Sequence, residues 1–515
     1  MKGVSIGAAG VTQECVRQRP QRILMVSNRA PIVHERDTAG ALVRRATDGG
    51  VATALSAVAE AVDVDWLACA GSEEDAALAL RGQRVKLGNA SRLSYVAPPA
   101  QAYELFYNAF CNPLLWFLQH GIWDQLQGKN TGLKALHAWQ LGYLPVNQLV
   151  AERVAEALRR RVDRVMFHDY HFYVAPLFVR NLQPRAFLQH FVHVPWPDPA
   201  EWMRLPRKIP DSICRGLLAN DRVVFQTPEN VENFLATCDE LLPDFRVDFR
   251  RGVVKGKERE TRVWANPISV DAVDLHRRLF SPAAQCAAAA LLPELGPKTI
   301  VRVDRLDPAK NIVAGFEAFG HLLQRHPEYR GRVRFLAFLQ PSRASIPEYA
   351  GYTARVVAEA EEVNATFGTP SWQPVRLFIG QDRLRALTAL RFYDVLLVNS
   401  LADGMNLVSK EGAVLNERDG VLVLSRSAGS YRDLAPGALG VEPGDVAGTA
   451  AALNEALGMD ADERRRRADA LRGVVLDHQL SGWLKRQLED LGVQDEGQED
   501  SLALHGTPRR FTLAG

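Results

Sequence analysis

The feature that most constrains this chain is a rhythm. Short β-branched apolar runs, "RILMVSN", "VDWLACA", "RVMFHD", "AFLQHFVHV" and "RVVFQT", then "TIVRVDRL", "RVRFLAFLQ", "VRLFIG", "DVLLVNS" and "VLVLSR", alternate with longer amphipathic stretches. Runs apolar on both faces suit strands buried between helical layers, and so a parallel sheet. At 515 residues one core does not suffice. The expectation is an α/β protein of two doubly wound, Rossmann-like halves. The stretch "RVWANPISVDAVDLHRRLFSPAAQ" leaves a strand at Pro267 and turns helical, placing a hinge near residues 267–296. "ERRRRADALRGVVLDHQLSGWLKRQLEDL" reads as two charged amphipathic helices, the arginine run forming a solvated face. Residues 1–20 read as a ragged extension and 491–515 as a mobile polar tail.

Charge narrows the ligands. Lys and Arg number 62 against 60 Asp and Glu, so no overall basic field points to nucleic acid or an anionic membrane. Any anion must be held locally. No run approaches the roughly 18 apolar residues of a membrane span, and the N-terminus carries no convincing cleavage signal. The six cysteines lie scattered without a CxxC pair, which suits reduced thiols in a cytoplasmic protein. No metal and no cofactor are expected.

In open α/β sheets ligands sit beyond the carboxyl ends of the strands. Those positions are unusually polar here: Arg29 in "SNRAP", Gly49 and Gly50 in "TDGG", His168, Asp169 and His171 in "HDYH", His193, and Gln226. In the second half they are Arg305 and Lys310 in "VDRLDPAKN", Arg343 in "LQPSR", and Asp403 and Glu411 in "LADGMNLVSKEG". Arg305 and Lys310, a planar fork and a point charge at a strand-to-helix junction, suit a diphosphate. The plainer alternative pairs Arg305 with Asp304 or Asp307. In "DGMNLVSKE" a tight turn aims the next helix's free N–H groups at an oxygen-rich ligand, and Glu411 can accept from ribose hydroxyls. Against that stands an ordinary Asp cap with Glu411 on a helix surface. "HDYH" lacks a third metal ligand, so Asp169 reads as a sugar-recognition group and the two histidines as satisfied loop residues. The aromatics of "YNAFCNPLLW", Tyr107 to Trp116, fit helix packing equally well.

Taken in order, these stretches resemble the trehalose-6-phosphate synthase family of retaining glycosyltransferases, glycosyltransferase family 20, from about residue 21 to 490. The resemblance implies a GT-B fold, two Rossmann-like domains facing across a cleft. The domains expected are 21–267 for the acceptor, 268–472 for the nucleotide sugar, and 473–490 as a helix crossing back. It implies that Arg305 and Lys310 hold the diphosphate, Glu411 the ribose, and Asp403 with Gly404, Met405, Asn406 and Leu407 the transferred sugar. Gly49 and Gly50 match the loop that approaches the donor phosphates, where a side chain would intrude. Arg29, Tyr107, Trp116 and Arg343 match the cradle of an acceptor sugar phosphate, Asp169 its hydroxyl partner, and His193 the histidine beside the donor sugar. The prolines of "HVPWPDPAEW" would fix the loop that presents His193, with Trp196 walling the site and Trp202 packed beneath.

The implied partners are a nucleoside diphosphate glucose, UDP or GDP, and glucose 6-phosphate or another phosphorylated acceptor, with room for a homo-oligomer. The implied catalytic set is His193, Arg305, Lys310 and Asp403. Some positions depart from the family pattern: Ala402 stands where an arginine is common, Pro308 replaces a tyrosine, and Gln381 stands where an aromatic is expected beside uracil. The base and the acceptor therefore stay open. The scaffold is shared by glucosylglycerol-phosphate synthases and by pseudo-glycosyltransferases, which join a nucleotide-linked cyclitol to a phosphorylated acceptor. A dehydrogenase would need a GxGxxG that "SNRAPIVHERDTAGALV" lacks. A sugar-phosphate sensor without turnover is the rival from another class.

Overall fold

A computed structural model describes residues 22–47, 55, 58–59, 62–88, 91–126, 131–160, 162 and 164–492. The N-terminal half contributes β1 (Ile23–Ser27), β2 (Ile32–Arg36), β3 (Leu42–Ala46), β4 (Val64–Cys69), β5 (Val85–Leu87) and β6 (Ser91–Val96). It continues with β7 (Arg164–His168), β8 (Phe187–Phe191), β9 (Arg222–Phe225), β10 (Arg246–Asp248), β11 (Val253–Lys255) and β12 (Glu260–Ala265). The C-terminal half contributes β13 (Lys298–Arg305), β14 (Val333–Gln340), β15 (Val375–Ile379), β16 (Val395–Val398), β17 (Val421–Ser425) and β18 (Leu439–Val441).

The C-terminal sheet runs β15-β14-β13-β16-β17-β18, all parallel. The order reverses between β13 and β16, which opens a crevice at their carboxyl ends. The N-terminal sheet repeats the device in β12-β9-β8-β7-β1-β4-β6, parallel throughout, with its reversal between β1 and β7. Central strands such as β1 and β17 are buried along their whole length, as sheets covered on both faces require.

The edges differ from the all-parallel expectation. β5 pairs antiparallel with β6, and β10 and β11 extend the other edge as antiparallel hairpin strands. These strands have three residues each and carry charges, so they present no apolar run to read and blunt the edge instead. The arginine run also divides. In the helix Ala461–Asp477, Arg465 and Arg466 are exposed. Arg464 turns inward to donate to the carbonyls of Arg418 (2.8 Å) and Asp419 (3.1 Å), because helical period places it beside Arg467 on the face that buries Ala468 and Leu471.

The chain then returns to the first lobe. The helix Leu480–Asp490 buries Trp483 in a cluster with Met25, Trp66 and Phe191. Its Asp490 accepts from Arg222 (3.1 Å), Gln189 (2.7 Å) and the Trp264 indole (3.3 Å). Among the described residues, no helix is long and apolar enough to cross a membrane.

Candidate active site

The two reversals face each other across a cavity of about 850 Å³. From the N-terminal lobe it is lined by Arg29 after β1, Asp169 after β7, His193 after β8 and Gln226 after β9. From the other lobe come Arg305 at the end of β13, Lys310 after it, Arg343 after β14 and Asp403 after β16. Tyr107, Trp116, Gly404, Met405, Asn406, Leu407 and Glu411 complete the set read from the sequence. Gly49 and Gly50 lie outside the described residues.

On the first lobe, Arg29 donates to the Tyr107 hydroxyl at 2.9 Å. Burial pushes that phenol up, yet the guanidiniums of Arg29 and Arg343 outweigh it and leave the group below its ordinary value. Tyr107 lies parallel to His171, 6.1 Å between rings, so the helical aromatics are wall as well as packing. Asp169 is held at φ 71°, ψ 177°, backbone that normally only glycine adopts. Three contacts keep it there. Its N–H donates to the Phe191 carbonyl (2.8 Å), its carbonyl accepts from His190 Nε2 (3.0 Å), and its carboxylate accepts the His193 N–H (3.3 Å). Burial raises its carboxyl to about 6 despite Arg343 and Arg305.

The second lobe is organised around a residue the sequence offered only as a strand-end partner. Asp307 is wholly buried. It accepts from the Trp116 indole N–H of the opposite lobe (3.1 Å) and from Arg343 Nη1 (2.9 Å), with Arg305 Nη2 at 3.7 Å. Burial pushes the acid up, and the guanidiniums of Arg343 and Arg305 more than reverse that. Arg343 and Arg305 both stand over Trp116, their guanidinium carbons 4.2 and 5.1 Å from the ring centroid, within cation–π range. Arg343 also reaches the Tyr170 hydroxyl (3.2 Å) and Tyr349 (2.9 Å). Arg305 remains 39% exposed, so its fork is still available to an anion. Asp304, the other candidate partner, is taken by the buried Arg302 at 2.7 Å.

Lys310 is ion-paired with Asp403, which also accepts from Asn406 Nδ2 (2.9 Å). Asn406, at φ 73°, caps the helix Leu407–Leu415 through the Ser409 N–H. The positive end of that helix opens on the cavity. Glu411 is buried rather than on a surface, and accepts from Arg383 Nη2 at 2.9 Å. Burial raises its carboxyl even against that guanidinium. Beyond it lie Phe338 and Phe378, stacked at 4.7 Å, with Arg385 4.2 Å over Phe378 and Gln381 exposed alongside. Gly404 brings the backbones of the two lobes into contact: a Cβ there would strike the His193 carbonyl oxygen.

One expectation fails outright. Trp196 does not wall the site; it is 1% exposed, packed on Trp202, Phe225 and Phe234, with its N–H given to Thr237 at 3.0 Å. A large ring after a strand end finds more apolar area beneath the loop than in a polar cleft. Sequence reasoning missed Asp307 as a hub, His120 stacked on Trp116, Tyr170 and Arg383. Only "DRLDP", "HDYH" and "GQDRL" carried any trace of them.

Two Rossmann-type lobes whose switch points face one another across a cation-lined cleft make up the GT-B fold. The chain belongs to glycosyltransferase family 20, whose family model matches residues 21–492. It is 34% identical over 90% of its length to the bifunctional trehalose-6-phosphate synthase/phosphatase of Thermoproteus tenax. The chain spans 62% of that relative's length, and 51% and 56% of two other curated relatives. Among solved structures it is similar to the E. coli trehalose-6-phosphate protein bound with UDP-2-fluoro glucose (27% identity, TM-score 0.77, 92% of this chain and 99% of that one). It is also similar to the Burkholderia xenovorans UDP-forming α,α-trehalose-phosphate synthase in complex with glucose 6-phosphate (26% identity, TM-score 0.78, 92% and 100%).

Proposed function

We propose that the protein moves glucose from a nucleoside diphosphate glucose to glucose 6-phosphate with retention, giving trehalose 6-phosphate and the free nucleoside diphosphate. The observation that carries this reading is the cavity's division of labour. Arg305, Lys310 and the 407–415 helix end offer a diphosphate site, while Arg29, Tyr107, Arg343 and Asp169 offer a phosphorylated sugar its partners. The same two ligand classes are named for the E. coli and Burkholderia structures.

In this reading the acceptor hydroxyl forms the new bond to the anomeric carbon on the face from which the diphosphate leaves. The anomeric carbon–oxygen bond to phosphate breaks with its electron pair going to the diphosphate, which takes the acceptor's proton. Arg305 and Lys310 stabilise that growing charge, the kind of preorganised electrostatic term that dominates many enzymes. Asp403 orients Lys310 and the donor sugar, and Glu411 takes the ribose hydroxyls. We assign residues 21–267 to the acceptor lobe, 268–472 to the donor lobe, and the enzyme to the cytoplasm.

A screen of UDP-, GDP- and ADP-glucose against several sugar phosphates, reading released nucleoside diphosphate, tests the proposal. Binding of both ligands without release would establish a sensor instead. Arg305→Ala should lower kcat about 10²- to 10³-fold, the usual loss for one donor to developing charge, with an unchanged circular dichroism spectrum. A loss under about tenfold would remove Arg305 from the reaction centre.

A further inference from the structure

The direction of one hydrogen bond at the inter-lobe linker determines the chemistry of His193. Ile268 lies between β12 and the helix Ala272–Leu279, and its backbone N–H can only donate. Gln226 Oε1 accepts it at 2.9 Å. The amide's other end, Nε2, therefore faces His193 Nδ1, at 3.3 Å. An amide NH₂ has no lone pair to offer, so Nδ1 must be bare. Flipping the amide would set two donors against each other at Ile268.

The remaining protons follow. Burial lowers the pKa of His193 to about 3, so the ring is neutral and its proton sits on Nε2. At 3.2 Å from that atom is His168 Nδ1, which accepts, leaving the His168 proton on Nε2, buried and without a partner among the described residues. The chain of bonds runs one way, from the linker peptide through Gln226 and His193 to His168. Its origin is clamped on the opposite side, where the Ile268 carbonyl accepts from the buried Lys410 of the second lobe at 3.1 Å.

We propose that Gln226 is a positioning residue: it holds His193 in the neutral Nε2–H tautomer, with Nδ1 taken by the amide and the Nε2 proton given to His168, so that the ring is fixed at the cleft and neither nitrogen is free to act as a base. The tautomer is thereby tied to the position of the linker that joins the lobes. The assignment of a tautomer stands on the geometry alone. Its role in transfer rests on the proposed function.

Gln226→Glu is the discriminating variant. A carboxylate still accepts the Ile268 N–H but offers His193 Nδ1 an acceptor, which draws the proton to Nδ1. Nitrogen NMR of the whole chain labelled in its histidines, with His193→Asn to identify the signals, reads the tautomer directly. The wild type should show an unprotonated Nδ1 and a protonated Nε2, and Gln226→Glu should show Nδ1 protonated. Steady-state transfer should fall about 10- to 100-fold in kcat, with the acceptor KM little changed.

A protonated Nδ1 in the wild type, or an unchanged pattern in Gln226→Glu, would overturn the assignment. A switched tautomer with undiminished kcat would overturn the positioning role. If Gln226→Glu does not fold, Gln226→Met replaces it: losing both amide bonds should give a mixture of tautomers, and a single Nε2–H form would refute the proposal. Absence of transfer by the wild type with every nucleotide sugar would defeat the proposed function while leaving the NMR result to decide the tautomer.

Discussion

Asp169 shows how one residue can carry opposite signs in stability and in binding. Its carboxyl titrates near 6 because burial penalises the charge, against an ordinary value of 3.8. The folded state therefore holds the proton more tightly than the unfolded one, and this group's contribution to stability declines as pH rises from about 3.8 to about 6. Under the proposed function, recognition of a sugar hydroxyl by Asp169 should run the other way, since only the carboxylate is purely an acceptor. In Asp169→Asn that dependence is gone, while the second ionisation of a sugar phosphate, near pH 6, remains in both proteins. The ratio of wild-type to variant kcat/KM for the acceptor should rise through about pH 6 and level above it; a ratio constant from pH 5 to 7 would disprove the role. Asp169 was legible in the sequence because it follows an apolar strand directly, and Arg29, Arg305 and Asp403 because they lie at or shortly beyond a strand's carboxyl end. Asp307 stood in plain view within "DRLDP", yet its importance comes from Trp116 and Arg343, one of them 191 residues away. No local pattern encodes such a meeting. Arg302, fully buried in β13 and bonded to Asn399 at 2.6 Å, hides for the same reason inside a run that reads as strand.

Among the elements, the last helix has the clearest energetic signature. The pattern of "LSGWLKRQLED" showed an amphipathic helix, but only the fold shows that its apolar face belongs to the other lobe. Trp483 is fully buried there, and Asp490 neutralises Arg222 while taking bonds from Gln189 and Trp264. Trp483→Ala should cost about 3–5 kcal/mol of stability, the range for deleting a buried large aromatic. Asp490→Ala should cost about 1.5–3 kcal/mol through lost hydrogen bonds to a charged group. Chemical denaturation monitored by fluorescence of the remaining tryptophans measures both. If either variant matched the wild type in midpoint, the helix would be an appendage and not a part of the first lobe's core. The edge strands β5, β10 and β11 were illegible because strands of three residues, with charges among them, are too short to show a period.

At the scale of the whole molecule, the lobes are linked by two crossings, residues 266–270 and the turn into the last helix, and these bond to each other through the Leu480 N–H and the Val270 carbonyl at 3.1 Å. Asn266 joins them again, donating to the Trp483 carbonyl (3.2 Å) and accepting from Arg486 (2.7 Å). Relative motion of the lobes must therefore bend both strands of chain together. Gly404 limits how far such closing can go. Gly404→Ala should hold the lobes apart and raise KM for both substrates, with a larger radius of gyration by X-ray scattering in the presence of both ligands; an unaltered radius with unaltered KM would contradict this. Because the stop is bare backbone meeting bare backbone, the width it sets for the chamber at this point is a covalent constant of the polypeptide, indifferent to side-chain rotamers. Evolution could retune either wall of that chamber without ever resetting its gauge.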